Sequence, residues 1–283
     1  MKIGARTISG AVLALSWFAS AAAGQTPAQK GSYLKNIELC NRSDPASLDV
    51  RIEGCTAFIE AHQGTKTALA VALNNRGIAL IAKKDFDRAI EDFGRATELY
   101  PPYPRPFNNL GVAYVKKGQY DLAIKAFDQA IELNPSYAEA FVNRAGAYLK
   151  TREYDRAARD YDEAIRLSPD IDVAWSGRCW SRIMLGALHA ALEDCDRALG
   201  AGTNNAASYD SRGLIYLKMG RFDAAIEDYG FALRIEPKLA SSLYGRGLAR
   251  IGQGDKAGGE TDIAAAETIQ PGIADDFTRY GVR

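Results

Sequence analysis

A 34-residue period constrains this chain more than any other feature. Leu110-Gly111, Tyr114, Ala123, Phe127, Ala130 and Pro135 return 34 residues later as Ala145, Tyr148, Ala157, Tyr161, Ala164 and Pro169. One period earlier the pattern reads Gly77, Ala89, Phe93, Ala96 and Pro101. A fixed period of this length means stacked copies of one small unit, each covering its neighbour's apolar flank. Within one copy, Phe107, Leu110, Gly111, Tyr114 and Val115 recur at helical spacing. Lys117-Gly118-Gln119 interrupts them, and Gly118 suits a helix C-terminus. Ala123, Ile124, Phe127, Ala130 and Ile131 form a second apolar face. It ends at Asn134-Pro135, because proline disfavours helical geometry in the residue before it. The unit is helix, turn, helix. Gly111 and Ala123 are expected at facing positions, where small side chains let the two axes approach.

The first 23 residues are of another kind. Lys2 and Arg6, an apolar run from Ile8 to Phe18, and Ala21-Ala22-Ala23 read as a secretory signal peptide cut after Ala23. The run is short of the roughly 20 residues that span a bilayer, so no stable membrane insertion is expected after cleavage. The mature chain is expected in the periplasm or secreted, with residues 24–33 a disordered linker. Export gives the four cysteines a meaning, since they form an even set in an oxidising compartment. Three pairings are possible. Separations of 15 and 16 residues favour Cys40–Cys55 and Cys179–Cys195 over the crossed ones. The 35 basic and 35 acidic residues cancel, which argues against nucleic acid or an anionic membrane as the main partner.

The repeated positions resemble the tetratricopeptide-repeat family, whose pattern is Trp-x2-Leu-Gly-x2-Tyr followed by Ala, Phe, Ala and Pro. The resemblance implies an all-α, right-handed α-solenoid of helix-turn-helix repeats. Six copies are readable, at 70–103, 104–137, 138–171, 172–205, 206–239 and 240–273. A degenerate hairpin at 34–69, with a turn at Ser43-Asp44-Pro45, is expected before them, and a C-terminal capping helix at 274–283, with Phe277 and Tyr280, after them. Copy 172–205 departs from the pattern, with Cys179 at the small position, Cys195 at the aromatic one and Thr203 for proline. A bond between those cysteines would stand in for the aromatic contact. Copy 240–273 starts its second helix Ala257-Gly258-Gly259, which costs helix propensity and is expected to make it the looser end.

No catalytic constellation emerges. His62 and His189 lie in different copies, and no metalloprotease, nucleophile-elbow or phosphate-loop motif occurs. No Cys-x-x-Cys or neighbouring histidine suggests a metal, and nothing calls for a cofactor. Glu91-Asp92, Glu193-Asp194 and Glu227-Asp228 recur at the repeat period and are expected on the solvated face. Arg76, Arg144, Arg178, Arg212 and Arg246 occupy the position before the small residue of the first helix. An inter-repeat ladder with neighbouring acids is favoured for them over ligand binding.

The resemblance also implies that first helices line a concave wall. Asn75, Asn109 and Asn143 then form a ladder of amides, each a donor and an acceptor, of the kind with which family members grip an extended peptide backbone. The same position changes to Gly177, Ser211 and Gly245 in the later copies. Asn74, Asn108, Lys116, Lys150, Lys218, Trp180 and Tyr244 complete the expected peptide-binding groove. Ile78 and Val112 stand where the family's carboxylate clamp needs asparagine, which argues against recognition of chaperone tails. The expected function is a non-enzymatic protein–protein interaction scaffold that binds an extended peptide or partner protein in this groove. The alternatives are a disulfide-bridged helical-repeat enzyme or cell-wall-compound binder, and an assembly factor acting through self-association. Oligomeric state is left open.

Overall fold

The computed structural model describes residues 27–42, 44, 47–62, 64–200 and 206–282. The signal segment, most of the Ser43-Asp44-Pro45 turn and Thr203 lie outside them. Among the described residues every regular element is a helix. They form two compact units, divided after Pro135.

In the first unit α1 (Pro27–Cys40) pairs with α2 (Leu48–Glu60), α3 (Lys66–Ala82) with α4 (Phe86–Leu99), and α5 (Pro104–Lys116) with α6 (Tyr120–Leu133). The second unit pairs α7 (Ala138–Lys150) with α8 (Tyr154–Leu167), α9 (Asp172–Met184) with α10 (Leu188–Gly200), α11 (Ala206–Lys218) with α12 (Phe222–Ile235), and α13 (Ala240–Gln253) with α14 (Lys256–Ile269). A short α15 (Ile273–Arg279) follows. Each unit is thus a stack of antiparallel hairpins of the expected all-α helical-repeat class.

One device closes every hairpin from α3 onward. The residue two before the second helix adopts positive φ at Lys84, Gly118, Arg152, Gly186, Gly220 and Gly254, between 63° and 102°. The next amide then reaches back to the carbonyl five residues earlier, as in Asp85 N to Leu80 O and Gln119 N to Tyr114 O, both 2.9 Å. That bond satisfies a carbonyl the helix end leaves unpaired. Glycine makes the left-handed turn at no steric cost, and Lys84 and Arg152 show that the stack imposes it regardless.

A 16-residue interval sets the register inside the hairpins from α3 onward. A Cβ on Gly77 would meet the Phe93 ring at 2.6 Å, and one on Gly111 the Phe127 ring at 2.5 Å. Gly111 therefore makes room for the Phe127 ring. Cys179 and Cys195 occupy the same pair of positions in α9 and α10 and are bonded, S–S 2.06 Å. In that hairpin a covalent link takes the place of a ring over a small residue. Cys40 and Cys55 join α1 to α2, S–S 2.02 Å.

One terminal expectation changes. Residues 27–33 are helical rather than a disordered linker. Tyr33 is buried, with its ring 5.3 Å from that of Phe58, and this apolar contact offsets the entropy of ordering the segment. The glycines of α14 have a packing role. A Cβ on Gly259 would meet Gly247 O at 2.6 Å, so the pair lets two backbones pass at close range, and Asp255 caps the helix by accepting from Gly258 N at 2.9 Å.

Candidate functional site

The first helices of each unit lie side by side, and their shared wall carries the expected binding residues. In unit 1 the asparagines bond to one another. Asn75 Nδ2 donates to Asn41 Oδ1 at 2.9 Å, and Asn109 Nδ2 donates to Asn74 Oδ1 at 2.8 Å. Asn74 and Asn108 are buried between hairpins, so they serve packing and do not face the groove as expected. Asn75, Asn109 and Asn143 keep partial access to solvent. Lys116 and Lys150 are exposed at the ends of α5 and α7.

In unit 2 the wall is already occupied. The segment from Ile273 to Val282 folds back along it, with Ile273 and Phe277 buried in the same cluster as Leu214, Leu217 and Leu243. Phe277 lies 4.8 Å from the Tyr244 ring, and Tyr280 meets Trp180 nearly edge to face, at 5.2 Å and 85°. Lys218 Nζ donates to the Tyr280 carbonyl, and burial lowers its pKa. The C-terminal segment thus packs on Lys218, Trp180 and Tyr244, which were expected to be open and are half-buried, with Trp180 still facing a cleft. Sequence reasoning had α15 as an end cap, and only the fold shows that Tyr280 reaches back to α9.

Behind the wall runs a row of ion pairs. Arg76 binds Asp92, Arg144 binds Asp160, Arg212 binds Asp228 and Arg246 binds Asp262, each by two hydrogen bonds between 2.7 and 2.8 Å. Arg178 binds Asp194 at 2.6 and 2.9 Å. All five aspartates are buried, which corrects the expected place of Asp92, Asp194 and Asp228 on the solvated face; the adjacent Glu91, Glu193 and Glu227 do face solvent. The ladder is mainly within hairpins, since each pair joins first to second helix. Arg178–Asp162 and Arg212–Asp196, at 2.6 and 2.7 Å, link successive hairpins as expected. Hydrogen bonding to Asp92 and Asp228 raises the Arg76 and Arg212 guanidinium pKa values. Of the six repeat copies from residue 70 onward, one lacks the pair, and both members change together, to Leu110 and Ala126. That joint exchange was visible in the sequence and identifies the partners.

The halfway change in the wall also has a cause. The Tyr161 hydroxyl lies 2.5 Å from where a Cβ on Gly177 would stand, and the Tyr229 hydroxyl 2.4 Å from one on Gly245. Phenylalanine has no such oxygen, and 16 residues after Phe93 and Phe127 the chain has Asn109 and Asn143. Burial, with Asp160 nearby, pushes the Tyr161 hydroxyl up to about 12.

Gly177 borders a cleft of about 660 Å³ in unit 2. Its walls include Tyr161, Asp172, Ser176, Trp180, Asp210 and Ser211. No nucleophile–base pair and, among the described residues, no cluster of metal-binding groups accompanies it. His62 and His189 are both exposed and far apart in sequence.

Family models described as tetratricopeptide repeat match residues 70–103, 108–171 and 147–206, and one described as TPR repeat matches 213–254. No curated protein matches the chain. A tetratricopeptide repeat protein from Parabacteroides merdae shares 18% identity over 89% of this chain and 98% of its own, with a TM-score of 0.64. PilF of Pseudomonas aeruginosa shares 16% over 75% of this chain and 95% of its own, at 0.63. YrrB, described as a TPR protein with an unusual peptide-binding site, shares 19% over 68% of this chain and 100% of its own, at 0.55. At such identities the structures establish common fold alone. The repeat models cover more than half of the chain and agree with its hairpins, which supports an interaction scaffold in general terms: the chain belongs to the tetratricopeptide-repeat family.

Proposed function

We propose that this protein is a non-enzymatic, exported scaffold that binds an extended segment of a partner protein along its first-helix walls. The observation that carries the reading is the self-docked Ile273–Val282 segment. It supports the idea that the unit 2 wall has the shape and chemistry to hold a peptide, with Trp180 and Tyr244 as aromatic anchors and Lys218 as a carbonyl donor. The two disulfides, and the lack of any described helix long and apolar enough to cross a membrane, are compatible with a periplasmic or extracellular address.

The test is affinity capture from periplasmic extract. Wild type is compared with Lys116→Glu/Lys150→Glu and with Asn75, Asn109 and Asn143 changed together to alanine. Loss of the same partner from either variant, with unchanged helical content, is the expected result. Equal recovery by all three proteins would retire the wall as the binding surface.

A further inference from the structure

The cleft beside Trp180 carries a more specific reading. Buried aspartates in unit 2 follow one rule: Asp160, Asp194, Asp228 and Asp262 each face an arginine. Asp210 breaks it. It lines the cleft, and among the described residues no cation pairs with it. Its hydrogen bond is from the Ser242 hydroxyl, at 2.5 Å to Oδ1, with Ser241 as a second hydroxyl neighbour. A carboxylate has about four acceptor sites, so much of its capacity is unused. Burial, with Glu236 as a like charge nearby, lifts Asp210 from 3.8 to about 6, the mark of a carboxyl group without a counter-ion.

The rest of the cleft suits a cation on an apolar stem. Among the described residues no lysine, arginine or histidine lines it. Asp172 adds a second acid at the rim, and Leu149, Val173, Ala207 and the Trp180 ring supply apolar wall. Such a ring attracts a cation by its quadrupole, while the methylenes of a long basic side chain lie on apolar surface. A carboxylate ligand would meet Asp210 and Asp172 with the wrong sign, and a neutral apolar one would leave Asp210 uncompensated.

We propose that this cleft is the pocket for a lysine or arginine side chain of the bound peptide, its cation held by Asp210 and its stem laid against Trp180. The proposal rests on the wall-binding reading above and narrows its partner to a basic segment.

The experiment titrates the full chain with Nα-acetyl-lysine-N-methylamide and, in parallel, with the neutral isostere Nα-acetyl-norleucine-N-methylamide. The Trp180 indole N–H resonance is followed by NMR. A saturable shift with the lysine probe, at least tenfold weaker with norleucine, is expected. Asp210→Asn should weaken the lysine probe at least tenfold. Ser211→Lys, which places a cation inside the cleft, should abolish its shift while leaving the helical spectrum intact. Equal responses to the two probes, or undiminished lysine binding by both variants, would overturn the pocket. Capture of a partner by wild type and Asp210→Asn alike would also overturn it, while leaving the wall-binding reading in place.

Discussion

Replacing Asp92 alone is expected to damage the protein far more than replacing its whole ion pair. Asp92 is 3% exposed and holds Arg76 through two bonds of 2.7 Å. In Asp92→Ala the guanidinium keeps Thr56 Oγ1, at 3.0 Å, and remains at a site where its side chain is 13% exposed. A buried charge stripped of its partner costs about 3–5 kcal/mol, and Arg76's residual access to water places this one near the lower end. Arg76→Leu strands the carboxylate instead, at a similar cost. The double variant Arg76→Leu/Asp92→Ala imports what the chain itself carries one repeat later, Leu110 and Ala126. Exchanging a buried pair for apolar residues is often neutral or stabilising, so the double variant should lie within about 1 kcal/mol of wild type. The coupling between the two sites should then be at least about 2 kcal/mol. Amide hydrogen exchange in α3 and α4 reads this locally, which matters because repeat stacks open unit by unit. A loss of about 3 kcal/mol speeds exchange through opening by roughly 100-fold at 1.4 kcal/mol per decade. Each single variant should show that acceleration and the double variant should not. Additive losses in the double variant would refute the reasoning, since they would mean that neither charge depends on the other.

Three other outcomes are expected. The folded pKa of Asp210, about 6, lies above its ordinary 3.8, so the ionised group opposes folding above pH 6 and that penalty is relieved as pH falls toward 4. Asp210→Asn should therefore raise the urea midpoint at about pH 7.5, with the gain closing at about pH 4, and a gain of constant size across that range would refute the assignment. Each disulfide closes a loop of 15 or 16 residues and should contribute about 3 kcal/mol, so Cys179→Ala/Cys195→Ala should lower the thermal midpoint; thiol titration of the unreduced protein in concentrated guanidinium should find no free cysteine. Phe277→Ala should undock α15 without melting the hairpins, seen as stronger acrylamide quenching of Trp180 at unchanged far-UV circular dichroism. Unchanged quenching would show that Phe277 does not hold Tyr280 over Trp180.

The sequence by itself determined the hairpins, their turns and the packing positions. Those depend on spacings within a few residues, where a small residue, a ring or a proline can act in only one way, and 34-residue recurrence repeats the message in copy after copy. The cysteine partners were legible for the same reason, as neighbours across one hairpin. Asp92, Asp194 and Asp228 were misread because an acid in an amphipathic helix looks solvated unless its partner 16 residues away is considered with it. Even there a clue existed, in the joint exchange to Leu110 and Ala126. What no local pattern could supply was the course of the last ten residues and the setting of Asp210. Tyr280 meets Trp180 and Lys218 across 100 and 62 residues of sequence, and Asp210 meets Ser242 across 32. Only the stacking of hairpins in three dimensions decides which aromatic is covered, which carboxylate is left without a cation, and so where a ligand has something to gain.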